Sequence, residues 1–122
     1  MILISLVLLQ ATAAPPTYVF FDWGKVEITR DSAAALDGIA EGLGAGARIE
    51  IVGHSDRSGS VWSNLLSSRK RALAVRNYLT GKGVAGDAIT VSGVGETEPI
   101  IPTQDGVREV QNRRVEIRVI AP

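Results

Sequence analysis

Between Gly53 and Ala72 the chain reads Gly-His-Ser-Asp-Arg-Ser-Gly, a short spacer, and then Ser-Asn-Leu-Leu-Ser-Ser-Arg-Lys-Arg-Ala. The first part sets one carboxylate, Asp56, in a tight polar loop. The second sets one guanidinium, Arg71, about two turns into a helical segment. A carboxylate and a guanidinium a few ångströms apart form a receptor for a zwitterion, with Asp56 accepting from an ammonium and Arg71 donating to a carboxylate. The run Ser55–Ser60 is turn chemistry leading into a helix N-terminus, whose positive end favours an anionic group nearby. On that helix Asn64, Ser67, Ser68 and Arg71 fall at i, i+3, i+4 and i+7, so a polar stripe runs beside the apolar one. The same spacing also suits a solvated helix face or a structural Asp56–Arg71 salt bridge, and spacing does not choose among the three.

These groups need elements to hold them. Thr17–Phe21 is aromatic and β-branched and reads as a strand, broken by Asp22-Trp23-Gly24-Lys25. Thr29 or Asp31 caps a helix through Leu43, with Ala33, Leu36, Ile39, Ala40 and Leu43 recurring at helical steps. Arg48–Gly53 alternates as a strand with one buried face. Ser58 or Ser60 caps a second helix to about Thr80, with an apolar stripe of Val61, Leu65, Ala72, Val75 and Leu79, stopped by Gly81-Lys82-Gly83. Ala88–Val94 is a third strand. A long loop from Gly95 to Gln111 has room for one short helical turn. Arg114–Ile120 is the last strand, with Val115, Ile117 and Val119 facing one way. The order β-α-β-α-β-(short helix or loop)-β predicts an α/β (α+β) two-layer sandwich, its helices packed on one face of a mixed four-stranded sheet. Trp23, beside the end of the first strand, reads equally as a pocket wall or a packed edge.

Composition narrows the chemistry. The 122 residues suit one domain rather than two, and the 13 basic and 13 acidic residues balance, which argues against nucleic acid as the main partner. With no cysteine and a single histidine, thiol catalysis, thiolate zinc and multi-histidine metal sites are excluded, and no cofactor is expected. Residues His54, Ser55 and Asp56 do not form a catalytic triad, because neighbours on an extended chain point in alternating directions; His54 reads as a strand-end residue bonded to backbone. The apolar run Met1–Leu9 is too short to span a bilayer, so no transmembrane segment is expected. Followed by Ala11-Thr12-Ala13, it fits a signal peptide or truncated leader over residues 1–14, although no Lys or Arg precedes Lys25. A short apolar strand or helix packed on the domain is the other reading of this run.

The loop-helix segment resembles the OmpA-like C-terminal domain, the peptidoglycan-associating module of Gram-negative envelope proteins. The family pattern G-H-T-D-x-x-G, then Y-N-x-x-L-S-x-x-R-A, stands here as Gly53–Gly59 and Ser63–Ala72. Two further signatures are Gly93-Val94-Gly95-Glu96-Thr97-Glu98-Pro99 and Asn112-Arg113-Arg114-Val115-Glu116. The resemblance covers about Tyr18–Ile120, and it implies a binding domain over residues 17–122. It further implies that Asp56 and Arg71 grip the diaminopimelate of a peptidoglycan stem peptide. Phe21-Asp22-Trp23-Gly24 resembles the segment lining the same pocket. The expected ligand-binding set is Asp56, Arg71, Asn64, Asp22, Trp23 and Gly24. Departures are Ser55 for Thr, Ser63 for Tyr, Ser67 for Leu, and Gly24 where many relatives carry Asp or Asn. The implied function is noncovalent, non-catalytic tethering of the envelope to the wall, in the periplasm beside the outer membrane. The alternative is an interaction module for an envelope protein partner in an outer-membrane or motor complex. A wall-active amidase or peptidase would need a zinc set or activated nucleophile that one histidine and no cysteine do not supply.

Overall fold

The structure, a computed structural model, describes residues 14–122. The expected leader, apart from Ala14, lies outside the described residues. Six main elements follow in order: β1 (Thr17–Phe20), α1 (Arg30–Gly42), β2 (Arg48–Gly53), α2 (Val61–Gly81), β3 (Ile89–Gly93) and β4 (Arg114–Ile120). Short 3-10 turns at Gly86–Ala88 and Val110–Asn112 precede the last two strands. The sheet order is β1-β4-β2-β3, with β4 antiparallel to both β1 and β2 and β3 parallel to β2. This is the mixed four-stranded sheet with two packed helices that the element order predicts.

The helix caps follow from side-chain chemistry. Thr29 Oγ1 accepts from Ser32 N at the start of α1, and Ser60 Oγ accepts from Ser63 N at the start of α2; each satisfies a backbone N–H that the first turn leaves unpaired. Alternation along the strands sends Val19, Ile49, Ile51, Val115 and Ile117 to the helix side, where they bury with Leu36, Val75 and Leu79. Val119, expected on that face, is instead exposed. β1 begins at Thr17, opposite Ile117, so among the described residues β4 beyond that point pairs with β2 alone. The third strand starts one residue later than its sequence suggests, because Ala88 closes the turn from Ala85. Phe21 stops being strand but stays in the core, its N–H donating to Arg113 O at 2.9 Å.

The apolar stripe expected along α2 holds only in the C-terminal half. Ala72, Val75 and Leu79 are fully buried, whereas Val61 and Leu65 are exposed and Asn64, Ser68 and Arg71 are the buried residues of the first half. The polar stripe is therefore not a solvated face. It turns inward, over the loops at one end of the sheet, where Asn64, Ser68 and Arg71 each find a polar partner. The helix reaches those loops because it sits very close to the strands: a Cβ on Gly53 would lie 1.9 Å from Ser68 O, and one on Gly93 2.6 Å from Arg69 N. Only glycine permits that approach.

Candidate binding cleft

Asp56 lies just beyond β2, almost fully buried. Its Oδ1 accepts from the Ser58 N–H at 3.1 Å and the Ser58 hydroxyl at 2.6 Å. Its Oδ2 accepts from Glu109 N at 3.1 Å and from Arg113 Nη1 at 2.8 Å. A carboxylate has about four acceptor positions, and here the protein occupies all four. Burial alone would push the Asp56 carboxyl up, but the bonds from Ser58 and Arg113 and the two backbone N–H groups outweigh it and hold the group below its ordinary range.

Arg71 faces the same cleft from α2. Its Nε donates to Lys25 O at 3.1 Å, and the guanidinium lies 5.6 Å from the centre of the Phe21 ring. Burial lowers its pKa, as does the positive charge of nearby Arg113, while Asp56 offsets part of this. Among the described residues neither terminal nitrogen of Arg71 donates a hydrogen bond, so both remain available to an acceptor. The partner of Asp56 is thus Arg113 rather than Arg71, which excludes the simple structural Asp56–Arg71 bridge.

The space between is a cleft of about 190 Å³ whose walls include Trp23, Gly24, Asp56, Asn64, Arg71 and Arg113. Five of the six residues expected at the site therefore meet there. Asp22 does not: it is exposed, its carbonyl accepts from Lys25 N in the turn, and it is not on the cleft wall. Trp23 stands as a wall, half-exposed, with its indole N–H donating to Ser58 Oγ at 3.0 Å. Asn64 is anchored through its amide, which donates to Glu96 Oε1 at 2.9 Å, while Glu96 Oε2 accepts from Arg57 at 3.2 Å. Glu96 thereby clasps the long loop to the helix. Ser68 Oγ completes this link by accepting from Gly95 N and donating to Leu65 O.

Arg113 is the cleft residue to which the sequence assigns no role. It belongs to the Asn112-Arg113-Arg114 run, and its Nε also donates to Phe21 O at 2.9 Å. A signal existed. Strand alternation puts Arg113 on the side of Val115 and Ile117, toward the helix layer, where a buried guanidinium requires a carboxylate.

His54 departs from expectation differently. Its backbone N–H bonds Arg114 O at 2.8 Å, but the buried ring makes no hydrogen bond with either nitrogen. Nε2 lies 3.5 Å from Glu116 Oε1, which already accepts from Arg114. Burial depresses the His54 pKa, and Arg114 adds to this against the opposing pull of Glu116 and Glu98. Below about pH 6.5 the unfolded chain takes up a proton that the folded ring refuses until a lower pH. Stability should therefore fall on acidification through that window and level off below the folded value. Urea unfolding of His54→Asn between pH 7 and 5 should show this limb flattened; an unchanged slope would refute the assignment.

Among the described residues, no helix is long and apolar enough to cross a membrane, and no cluster of three His, Asp or Glu side chains is placed to hold a metal.

Comparison with known proteins agrees with this fold and loop arrangement. The sequence pattern of the OmpA family matches residues 20–113, and the chain belongs to that family. It is 35% identical over 106 residues to outer membrane protein P5 of Haemophilus influenzae, covering 85% of this chain and 30% of that protein. It is 31% identical over 110 residues to the peptidoglycan-associated lipoprotein of Pseudomonas aeruginosa, covering 89% and 66% of the two. The crystal structure of the peptidoglycan-associated lipoprotein from Burkholderia pseudomallei superposes with a TM-score of 0.77 at 29% identity, over 84% of this chain and 88% of that one. The chain spans about 30% of the length of the first curated relatives it matches.

Proposed function

We propose that residues 17–122 form a non-catalytic module that binds peptidoglycan noncovalently in the periplasm, through the diaminopimelate of a stem peptide, and so tethers the envelope to the wall. The observation carrying this reading is the pairing, on one cleft wall, of a buried guanidinium with two uncommitted nitrogens and a nearby buried carboxylate. The free end of diaminopimelate carries one carboxylate and one ammonium. Its carboxylate meets Arg71, with the remaining terminal nitrogen of Arg113 on the same wall. Its ammonium lies toward Asn64 Oδ1 and Asp56, where it competes with the Ser58 hydroxyl for Oδ1. In support, two relatives are named for association with or binding to peptidoglycan, the Pseudomonas lipoprotein and the peptidoglycan-binding protein ArfA of Mycobacterium tuberculosis, 42% identical over 73 residues.

Charge-assisted hydrogen bonds contribute about 1.5–3 kcal/mol each, so one cleft binds weakly. A wall presents many stem peptides, and repeated engagement multiplies retention. The decisive comparison is a diaminopimelate-containing stem peptide against the same peptide with lysine, which keeps the ammonium and lacks the second carboxylate. Calorimetry should show binding of the first, its loss in Arg71→Ala, and at least a tenfold weaker response to the second, as expected for a lost charged contact of about 1.5 kcal/mol or more. Equal binding of the two peptides would refute the diaminopimelate assignment. The exposure of Val61 and Trp62, 70% and 67%, favours a second reading, contact with an envelope protein. Free diaminopimelate peptide should displace the wall and leave such a contact intact.

A further inference from the structure

The rim of the cleft carries a cation that the zwitterion reading does not use. Arg108 lies on the exposed loop before β4, with its guanidinium carbon 3.5 Å from the centre of the Trp23 ring. Among the described residues it has no carboxylate partner and donates no hydrogen bond. Its position is nevertheless fixed from both sides. Glu109 N donates to Asp56 Oδ2, and two residues earlier Gly106 N donates to Arg57 O at 2.8 Å. The platform is fixed as well, since the Trp23 indole bonds Ser58. A guanidinium stacked on an aromatic face keeps its N–H donors in the ring-parallel plane, pointing outward from its edge. The result is a pre-oriented fork beside the cleft with all its donors free.

We propose that Arg108, seated on Trp23, is a second anion subsite that takes a carboxylate of the stem peptide next to the diaminopimelate. This rests on the peptidoglycan reading of the cleft and deepens it. The charge pattern supports it: the cleft wall carries two guanidiniums, Arg71 and Arg113, and one carboxylate, Asp56, so a single zwitterion leaves positive charge on the wall beside Arg108. A stem peptide brings that further negative charge in the glutamyl residue preceding diaminopimelate. The rim location makes the contact exposed, hence modest and salt-sensitive.

The test uses the tripeptide L-Ala-γ-D-Glu-diaminopimelate and the same tripeptide with the glutamyl α-carboxylate amidated, titrated into wild type and Arg108→Gln. Wild type should bind the acid about three- to fivefold more tightly than the amide. Arg108→Gln should bind both at the wild-type amide affinity, because the cleft itself is untouched. Undiminished preference for the acid in Arg108→Gln would overturn the subsite, and tighter binding by the variant would overturn it in favour of a side chain that obstructs the cleft. Failure of wild type to bind either peptide would overturn the cleft reading along with this one, which distinguishes it from loss of the subsite alone.

Discussion

Asp56→Ala should destabilise the domain by about 3–5 kcal/mol, the range for removing one partner of a buried ion pair, and should abolish retention on purified sacculi. The size of the effect comes from what Asp56 holds. Four donors converge on it, two from Ser58, one from the Glu109 backbone and one from Arg113. Removing the carboxylate strands Arg113 as an unpaired charge in a nearly buried position and releases the loop before β4 from the end of β2. Arg71→Ala removes one bond to Lys25 O and a contact with Phe21, so it should cost far less stability, about 1–2 kcal/mol, while losing binding as completely. Arg71→Ala thus isolates the contact with the ligand, whereas Asp56→Ala removes a contact and the organisation of the cleft together. Urea unfolding supplies the first readout and sacculus pull-down the second. In Asp56→Ala/Arg113→Met the stranded charge goes with its partner, so the double variant should be more stable than Asp56→Ala alone. A loss below about 1 kcal/mol in Asp56→Ala, the size of a single ordinary hydrogen bond, would show that the network does not hold the loop. Acid titrates the same contact. Because the folded Asp56 carboxyl is depressed, its contribution is complete at neutral pH and fades only as pH falls below about 3.9.

The layers were legible in the sequence because alternation and helical spacing report burial directly. Arg48–Gly53 and Arg114–Ile120 are strands with the predicted bounds, and the caps at Thr29 and Ser60 were among the residues named for them. Convergence of Asp56, Asn64 and Arg71 was legible too, since a short turn and a helical repeat leave few placements for them. What stayed hidden depends on contacts between distant segments. Alternation marks Arg113 as an inward guanidinium in need of a carboxylate, but Asp56 is 57 positions away, and no local pattern says which carboxylate it takes. Glu96, 32 positions from Asn64, is hidden for the same reason. The first half of α2 misled because spacing tells which residues share a face, and hydropathy assigns the apolar face inward. Here loops rich in donors and acceptors lie under that half, so Asn64, Ser68 and Arg71 are buried and Val61 is not. Asp22 was expected at the site because Phe21–Gly24 resembles the family's pocket-lining segment, and the turn after β1 carries it away from the cleft that Trp23 and Gly24 line.

Gly53→Ala should be among the most damaging conservative substitutions in the domain. The added Cβ would sit 1.9 Å from Ser68 O, 2.8 Å from Ser68 C and 3.2 Å from Ala72 Cβ. The first two are backbone atoms, so no rotamer change relieves the clash; either α2 lifts or β2 yields. β2 is paired on both sides, Gly53 standing between Gly93 and Val115, which leaves the helix to move. Overpacking of a close contact costs typically about 1–3 kcal/mol and more where the backbone must shift, so we expect about 3 kcal/mol or more, a fall in Tm of over about 10 °C for a domain of this size. Lifting the helix also pulls Ser68 from Gly95 N and displaces Asn64 and Arg71, so sacculus binding should drop in the fraction that stays folded. Ser68→Gly in the same background should not rescue it, because the clash is with the Ser68 carbonyl and not its hydroxyl. Gly38→Ala in α1, where a Cβ meets nothing within 4 Å, supplies the control. It should leave Tm unchanged or raise it slightly, since alanine favours the helix by up to about 1 kcal/mol over glycine. If the two substitutions gave the same Tm, the close seating of α2 on the sheet would be refuted, and with it the account of how Arg71 and Asn64 reach the cleft.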